Sequence, residues 1–358
     1  MPTRDPAAGP AGGLPVTTLA FAGAGWVTTI HGLAAASLDG LRVGQVASRH
    51  EASARRRAQQ CGAATCRYDD LPGDADAVVV ATPPALHRRE AERAVAGDAV
   101  ALVETPLAAT LADADAIVAL ADQGRVAYAE NLAHSPAVAE TVQACRKIGA
   151  LTHLEVRFVQ GRPEPGGLHL DGAWGGGALF DLGVHALAVA VLMAAPARVT
   201  SVQAELDAGA DIAVDDDAGV TLTFDTGLHA LVRASWRAAA PAWDAQAASA
   251  TSAVRLELVP DPSVELNGSA LRLRPPPAGL AVDQLHYLGY RDQLAALAAD
   301  ARHGRSPRVG APFGRLLLDI VCAAYASART GEPEPVPFTG PRGATPHQLW
   351  RGDWPIGR

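Results

Sequence analysis

Along the first third of the chain, short apolar runs alternate with longer stretches whose apolar positions recur at helical spacing. "VTTLAFAGAG" is an apolar run ending in glycines, and a helical pattern follows from Trp26 to Leu38. "LRVGQVAS" predicts a second strand and Glu51–Gln60 a charged helix. A weaker strand near Ala64–Arg67 precedes "DAVVVAT". A helix over Pro84–Ala96, the strand "AVALVE", a helix over Thr110–Ala121 and the strand "RVAYAE" complete the series. Prolines suit the first turn of the Pro84 helix, and Thr110 with Asp113 has the spacing of a capping box. Strands separated by helices imply βαβ units, and strands apolar throughout, such as "AVVVA", imply a parallel sheet covered on both faces. Ligands of such a sheet sit beyond the carboxyl ends of its strands.

From residue 151 to 273 the period changes. "LTHLEVRFVQ", "RVTSVQAEL", "GVTLTFDTGLHALVRASW", "AVRLELV" and "ALRLR" are strand-like or alternate. Asp225-Thr226-Gly227 is a hairpin signal. Helices over Gln284–Arg302 and Phe313–Thr330 close the pattern, the second apolar enough to pack under the later sheet or back on the first domain.

Composition narrows the class. The first 15 residues are rich in Pro, Gly and Ala, lack the apolar core of a signal peptide, and read as a disordered lead-in. No apolar run reaches the ~18 residues of a membrane span. A formal charge of −8 offers no basic surface to nucleic acid or to an anionic membrane. Four cysteines, with no CxxC pair and no zinc-like spacing to histidine, read as reduced thiols in a cytoplasm.

The candidate chemistry begins at the first strand end. "GAGWVT" places Gly23 and Gly25 in a tight turn, Trp26 and Val27 at the helix start, and Thr28 where a third glycine would stand. After the first strand of a doubly wound pattern this is a dinucleotide turn, with the pyrophosphate at the helix N-terminus. An NAD site commonly has an acid at the second strand end to hold the ribose 2′-hydroxyl. Here stand Ser48 and Arg49, which suit a 2′-phosphate, so NADP(H) is favoured and NAD(H) is the alternative. Arg55, Arg56 and Arg57 read as a solvated helix face. In the otherwise apolar "ALFDLGVHALAVAVLM", Asp181 and His185 share one face of a buried helix. They must pair with each other or face a polar cavity, because unpaired burial costs several kcal/mol. Asp215-Asp216-Asp217 reads as a solvated turn before a strand, and no metal site is expected.

The glycine turn, "ATPPALH", "VETPL", "GGGALFDLGVHAL", "VDDDAGVTLTFDTGLHALVRASW" and "TPHQLWRG" together resemble the glucose–fructose oxidoreductase / inositol dehydrogenase / rhizopine-catabolism (Gfo/Idh/MocA) family over residues 16 to 352. The resemblance implies a Rossmann domain over 16–132. Residues 133–358 would form a C-terminal α/β domain with a large, mostly antiparallel open sheet, used for substrate binding and oligomerisation. A homodimer or homotetramer is expected. The resemblance also implies that Thr82, Pro83 and His87 contact the dinucleotide, that Glu104 lies near the nicotinamide ribose with Pro106 fixing the loop, and that Asn131 lies on the nicotinamide side.

One position departs from that pattern. The family's Glu-Lys-Pro reads Glu104-Thr105-Pro106 here, so the lysine that joins the Asp and His in relatives is absent. Thr105 is too short and too weak an acid to replace it, and is expected to offer a neutral hydrogen bond or space. His185 is the expected acid/base and Asp181 would orient its imidazole or hold a substrate hydroxyl. His169, Arg162, Tyr287 and His134 are candidates to fill the gap. The expectation is an oxidoreductase moving hydride between nicotinamide and a secondary alcohol, ketone or imine of a sugar, cyclitol or sugar-like metabolite. The alternatives are a dinucleotide-binding regulator and a non-redox enzyme that has lost the lysine.

Overall fold

The computed structural model describes residues 16–121, 124–164 and 167–354. The expected tail at 1–15 lies outside them. Strands β1 (Thr17–Ala22), β2 (Leu41–Ala47), β3 (Ala64–Cys66), β4 (Ala77–Val80), β5 (Val100–Val103) and β6 (Val126–Tyr128) form a parallel sheet in the order β3-β2-β1-β4-β5-β6. Helices α1 (Val27–Ala36), α2 (Glu51–Cys61), α3 (His87–Ala96) and α4 (Leu111–Ala121) make the crossovers. The strands are apolar throughout because each face has a cover. Leu19, Phe21, Val79 and Leu102 pack with Ala34 of α1 and Ala58 of α2. Ala20, Val80, Ala101 and Val103 pack on the other face with Ala91 of α3 and Leu111 and Ile117 of α4. Thr110 caps α4 as expected, its Oγ1 accepting from the Asp113 amide at 3.2 Å. The strand order reverses between β1 and β4, which opens the crevice where such sheets bind ligands.

Helix α5 (Pro136–Ile148) leads into the second sheet. Its first strand is β7 (His153–Gly161). A π-helical turn at Leu179–Gly183 runs into α6 (Val184–Ala194), and the chain continues through β8 (Val199–Asp207), β9 (Asp217–Phe224), β10 (His229–Ser235), β11 (Arg237–Ala248), β12 (Ala253–Val259), β13 (Ser263–Leu266) and β14 (Ser269–Ala270). With β15 (Glu334–Pro335) at the edge, the order is β14-β13-β12-β11-β7-β10-β9-β8-β15. β7 and β10 are parallel, and the other pairs among the described residues are antiparallel. The Asp225–Gly227 turn closes the β9–β10 hairpin, with the Gly227 amide bonded to the Phe224 carbonyl at 2.9 Å. This sheet buries one face only: in β10, Ala230, Val232 and Ala234 point inward while His229, Leu231 and Arg233 face out.

The helix expected over Gln284–Arg302 is two helices, α7 (Gln284–Tyr287) and α8 (Tyr290–His303). Gly289, at φ +83°, breaks it, and it lies so close to Asn131 that a Cβ would meet that residue's carbonyl oxygen at 2.1 Å. α8 returns to the first sheet, where Leu294 and Leu297 join Leu19 and Phe21. α9 (Ala311–Thr330) is buried in the core common to both sheets, and α10 (Pro346–Arg351) ends the described chain.

Candidate active site

The glycine turn sits at the point where strand order reverses. Gly23 (φ +124°) comes so close to the end of β4 that a Cβ would lie 2.2 Å from the Ala81 carbonyl oxygen, whereas a Cβ on Gly25 would meet nothing within 4 Å. Trp26 begins α1 with no side-chain cap, its ring is exposed, and the first turn carries no acid. Val27 follows as the first helical residue. The amides of this turn, aided by the helix dipole, are therefore open to an anion. At the neighbouring strand end the Thr82 hydroxyl is buried without a partner among the described residues. Uncapped amides, an open approach at Gly25 and an orphaned hydroxyl fit a bound dinucleotide.

Behind the turn lies a correction. Arg57 is buried rather than part of a solvated face: its Nε donates to Thr28 Oγ1 and its guanidinium to the Gly25 carbonyl, both at 3.0 Å. The Thr28 hydroxyl donates to that same carbonyl at 2.7 Å. Arg55 does face solvent, paired with Glu51. Ser48 and Arg49 line a cavity of about 610 Å³ together with Arg67, Tyr68, Arg89, Glu51, Asp69 and Asp70. Arg49 has no ion pair among the described residues.

Several strand-end residues expected against the cofactor are turned inward. His87 is buried, with Nε2 2.7 Å from the Thr82 carbonyl oxygen and Nδ1 3.1 Å from that of Pro106. Burial pushes its pKa down, and both ring nitrogens face loop carbonyls rather than open space. Pro83 leads into a short 3-10 turn, Pro84–Leu86, beside it. Asn131 donates through Nδ2 to the Leu288 carbonyl at 2.7 Å, tying the strand end to the segment after α7. Glu104 accepts a 2.5 Å hydrogen bond from Nε2 of His31, a fully buried residue of α1. One oxygen of that acid is thus engaged behind the turn, and the other accepts from the Thr105 amide at 3.3 Å. The Thr105–Pro106 peptide is cis.

The imidazole of His185 lies between two groups. Its Nδ1 donates to Glu130, 2.9 Å from Oε2 and 3.1 Å from Oε1. Its Nε2 is 3.3 Å from Thr105 Oγ1. Asp181 therefore does not orient His185: it pairs with His169, Oδ1 to Nδ1 at 3.1 Å. The physical reason is the π-helical turn, which gives Asp181 a different direction from that of a regular i, i+4 helical pair. Glu130 lies two residues beyond β6 and is completely buried, while the side chains of His185 and Asp181 are 17% and 30% exposed, so both reach open space. Burial alone would lower the His185 pKa, but the charge and hydrogen bond of Glu130, with lesser help from Asp181 and Glu104, hold it above the ordinary value. Tyr290 sets its ring edge-on to His31 at 5.9 Å, and burial with three nearby acids keeps its phenol protonated.

Of the four residues considered for the lysine's role, only His169 comes to this site. Arg162 is held by Asp211 and Asp216. The ring of Tyr287 packs on His286, and burial pushes His134 down to about 4, leaving it neutral. The triple aspartate is not a solvated turn. Asp216 is buried between Arg162 and Arg237. Asp215 accepts from the Leu179 amide at 2.8 Å and from the Tyr325 hydroxyl at 2.5 Å, and burial raises its pKa to about 6. It thereby anchors the π-helical turn. Gly177 is needed there, because a Cβ would lie 1.7 Å from Asp215 Oδ1. No cluster of potential metal ligands occurs among the described residues.

Residues 17–132 match the family model described as an oxidoreductase family with an NAD-binding Rossmann fold, and residues 138–273 match the GFO/IDH/MocA C-terminal domain. The chain is 32% identical over 208 residues to a dTDP-3,4-didehydro-2,6-dideoxy-alpha-D-glucose 3-reductase of Streptomyces violaceoruber, covering 54% of this chain and 60% of that one. It is 28% identical over 300 residues to a putative UDP-kanosamine synthase oxidoreductase subunit of Amycolatopsis mediterranei, covering 72% and 81%. Among solved structures it is similar in fold to GenD2 from gentamicin A biosynthesis in complex with NAD, with TM-score 0.80, 22% identity, and 90% and 97% of the two chains covered.

Proposed function

Because the chain belongs to the Gfo/Idh/MocA oxidoreductase family, we propose that it is an NADP(H)-preferring reductase of a ketone or imine on a nucleotide-activated sugar. The observation that carries this reading is the placement of His185, with Nδ1 on a buried carboxylate and Nε2 at the open end beside Thr105. The names of the curated relatives supply the substrate class. A nicotinamide bound at the glycine turn would supply the hydride.

The rest is done by side chains of this chain. Glu130 holds the His185 pKa above the ordinary histidine value, so below that raised pKa Nε2–H is available as a general acid to the substrate oxygen or nitrogen that gains an electron pair. When that proton leaves, Nδ1–H stays on Glu130 and fixes the tautomer. Thr105 holds Nε2–H in the resting site and yields it to substrate. In the oxidative direction the same imidazole, neutral, takes the hydroxyl proton. The positive charge on His185 offsets part of what a lysine would provide.

Incubation with NADPH and a panel of nucleotide-linked and free keto-sugars, followed at the nicotinamide band, tests the function. No hydride transfer in either direction would overturn it. At the adenosine end, Arg49→Ala is expected to raise the Kd for NADPH by about tenfold or more and to leave NADH nearly unchanged, reflecting loss of one charge-assisted phosphate contact. Isothermal titration with both nucleotides checks this, and equal losses would count against the NADP(H) preference. The outer face of the nine-stranded sheet, with Leu231 between His229 and Arg233, is the surface we assign to a homodimer or homotetramer.

A further inference from the structure

Three carboxylates converge around the candidate site, and each is paired with an imidazole. His31 meets Glu104 at 2.5 Å, His185 meets Glu130 at 2.9 Å, and His169 meets Asp181 at 3.1 Å. Among the described residues none of the three acids is paired with lysine or arginine. The chain's one lysine, Lys147, lies in the last turn of α5. Arg162 and Arg237 are both committed to Asp216. Positive charge at this site therefore comes from histidine, and it is titratable.

We propose that His169, anchored by Asp181, supplies the positive charge that Thr105 cannot, donating from Nε2 to an oxygen of the bound sugar at or beside the reacting carbon. This rests on the reductase reading above. Four observations support it. The Asp181 contact engages Nδ1, and the side chain makes no other hydrogen bond among the described residues. His169 is 55% exposed, on a short 3-10 turn (Leu168–Leu170) that precedes the glycine-rich segment. That turn is held against the site because the His169 carbonyl packs on Gly176, where a Cβ would meet it at 3.3 Å. Asp181 stands four residues before His185 on the same helical run and its charge acts on the His185 imidazole, so the His169–Asp181 pair adjoins the proposed acid. His31 is excluded from the role, being fully buried behind Glu104.

The hydrogen bond and charge of Asp181 raise the His169 pKa against a smaller opposing effect of burial. Other ionisable groups around the loop are Asp171, which accepts from the Ala173 amide at 2.9 Å, His347, whose ring lies over Gly172, and Glu164 just before it. None of these bonds His169. The imidazolium form is present below its raised pKa and is lost as pH rises through it, so two histidines would have to be protonated for carbonyl reduction.

The test is the pH profile of kcat/KM for NADPH-dependent reduction. The wild type is expected to fall on the alkaline side with a limiting slope of −2, and His169→Gln with a slope of −1 and a rate lower by about 10- to 100-fold at neutral pH. Thr105→Lys in the His169→Gln background is expected to restore much of the rate. A His169→Gln enzyme with the wild-type slope and rate overturns the proposal. An NMR titration of the imidazole Cε1–H groups in the NADP+ complex decides independently of turnover. His169 is expected to titrate above an ordinary histidine and to fall in Asp181→Asn, whereas titration at or below the ordinary value overturns the proposal. A protein that titrates as expected but transfers no hydride would instead sink the reductase reading.

Discussion

Replacing His185 by glutamine is expected to lower kcat for carbonyl reduction by about 10²- to 10⁴-fold, the usual contribution of a positioned general acid, while NADPH binding stays within about twofold. Glutamine is the informative choice. Its amide can still donate to Glu130, so the variant does not leave a completely buried carboxylate without a partner, as alanine would. The glycine turn, Ser48 and Arg49 lie on other elements and are untouched. Stopped-flow mixing with NADPH and substrate separates the chemical step from binding, and fluorescence titration reads the nucleotide affinity. A rate within tenfold of wild type would mean that the proton comes from another group.

Glu130→Gln is expected to act on the same proton from the other side. The carboxylate raises the His185 pKa through its charge and its hydrogen bond, against burial, which lowers it. Without the charge the His185 pKa falls, so the imidazolium is depleted at neutral pH. The expected result is a kcat lower by about 10²- to 10⁴-fold near pH 7.5, the upper end being the loss that follows neutralisation of a buried carboxylate behind a catalytic imidazole. The alkaline limb of the profile should move to lower pH, and part of the rate should return on acidification. The sign is fixed: a raised folded-state pKa keeps the proton on at higher pH, and its removal shifts the limb downward. A profile that loses height without moving would assign Glu130 a purely structural part.

Much of the frame was legible because it depends on local pattern. The apolar runs of β1, β4 and β5, the cap at Thr110 and the Asp225–Gly227 hairpin follow from neighbouring residues, and all are where the pattern puts them, although Asp113 bonds the Thr110 hydroxyl rather than closing a capping box. Side-chain direction at strand ends was not legible. His87 and Glu104 stand at the expected strand ends, yet the first meets the carbonyls of Thr82 and Pro106 and the second meets His31, partners supplied by the tertiary packing. Glu130 was missed although its place at the carboxyl end of β6 was a signal. What the pattern could not convey is that α6 carries His185 onto it from 55 residues away. The π-helical turn had no sequence marker beyond the glycines before it, so Asp181 was assigned to the wrong histidine. The buried pairing of Asp215 and Asp216 was hidden because consecutive acids look alike whether solvated or bonded.

The brace between Arg57, Thr28 and the Gly25 carbonyl has a consequence for how this nucleotide turn can evolve. The threonine occupies a helix position where the usual fingerprint has glycine, and the guanidinium that fills the space behind it loses an acceptor if glycine is restored. Glycine at 28 alone strands the desolvated Arg57 Nε–H, whereas shortening Arg57 alone leaves the Thr28 hydroxyl on the Gly25 carbonyl. The two positions are therefore epistatic in one direction, and among homologues glycine at position 28 with arginine at position 57 is the combination expected to be depleted.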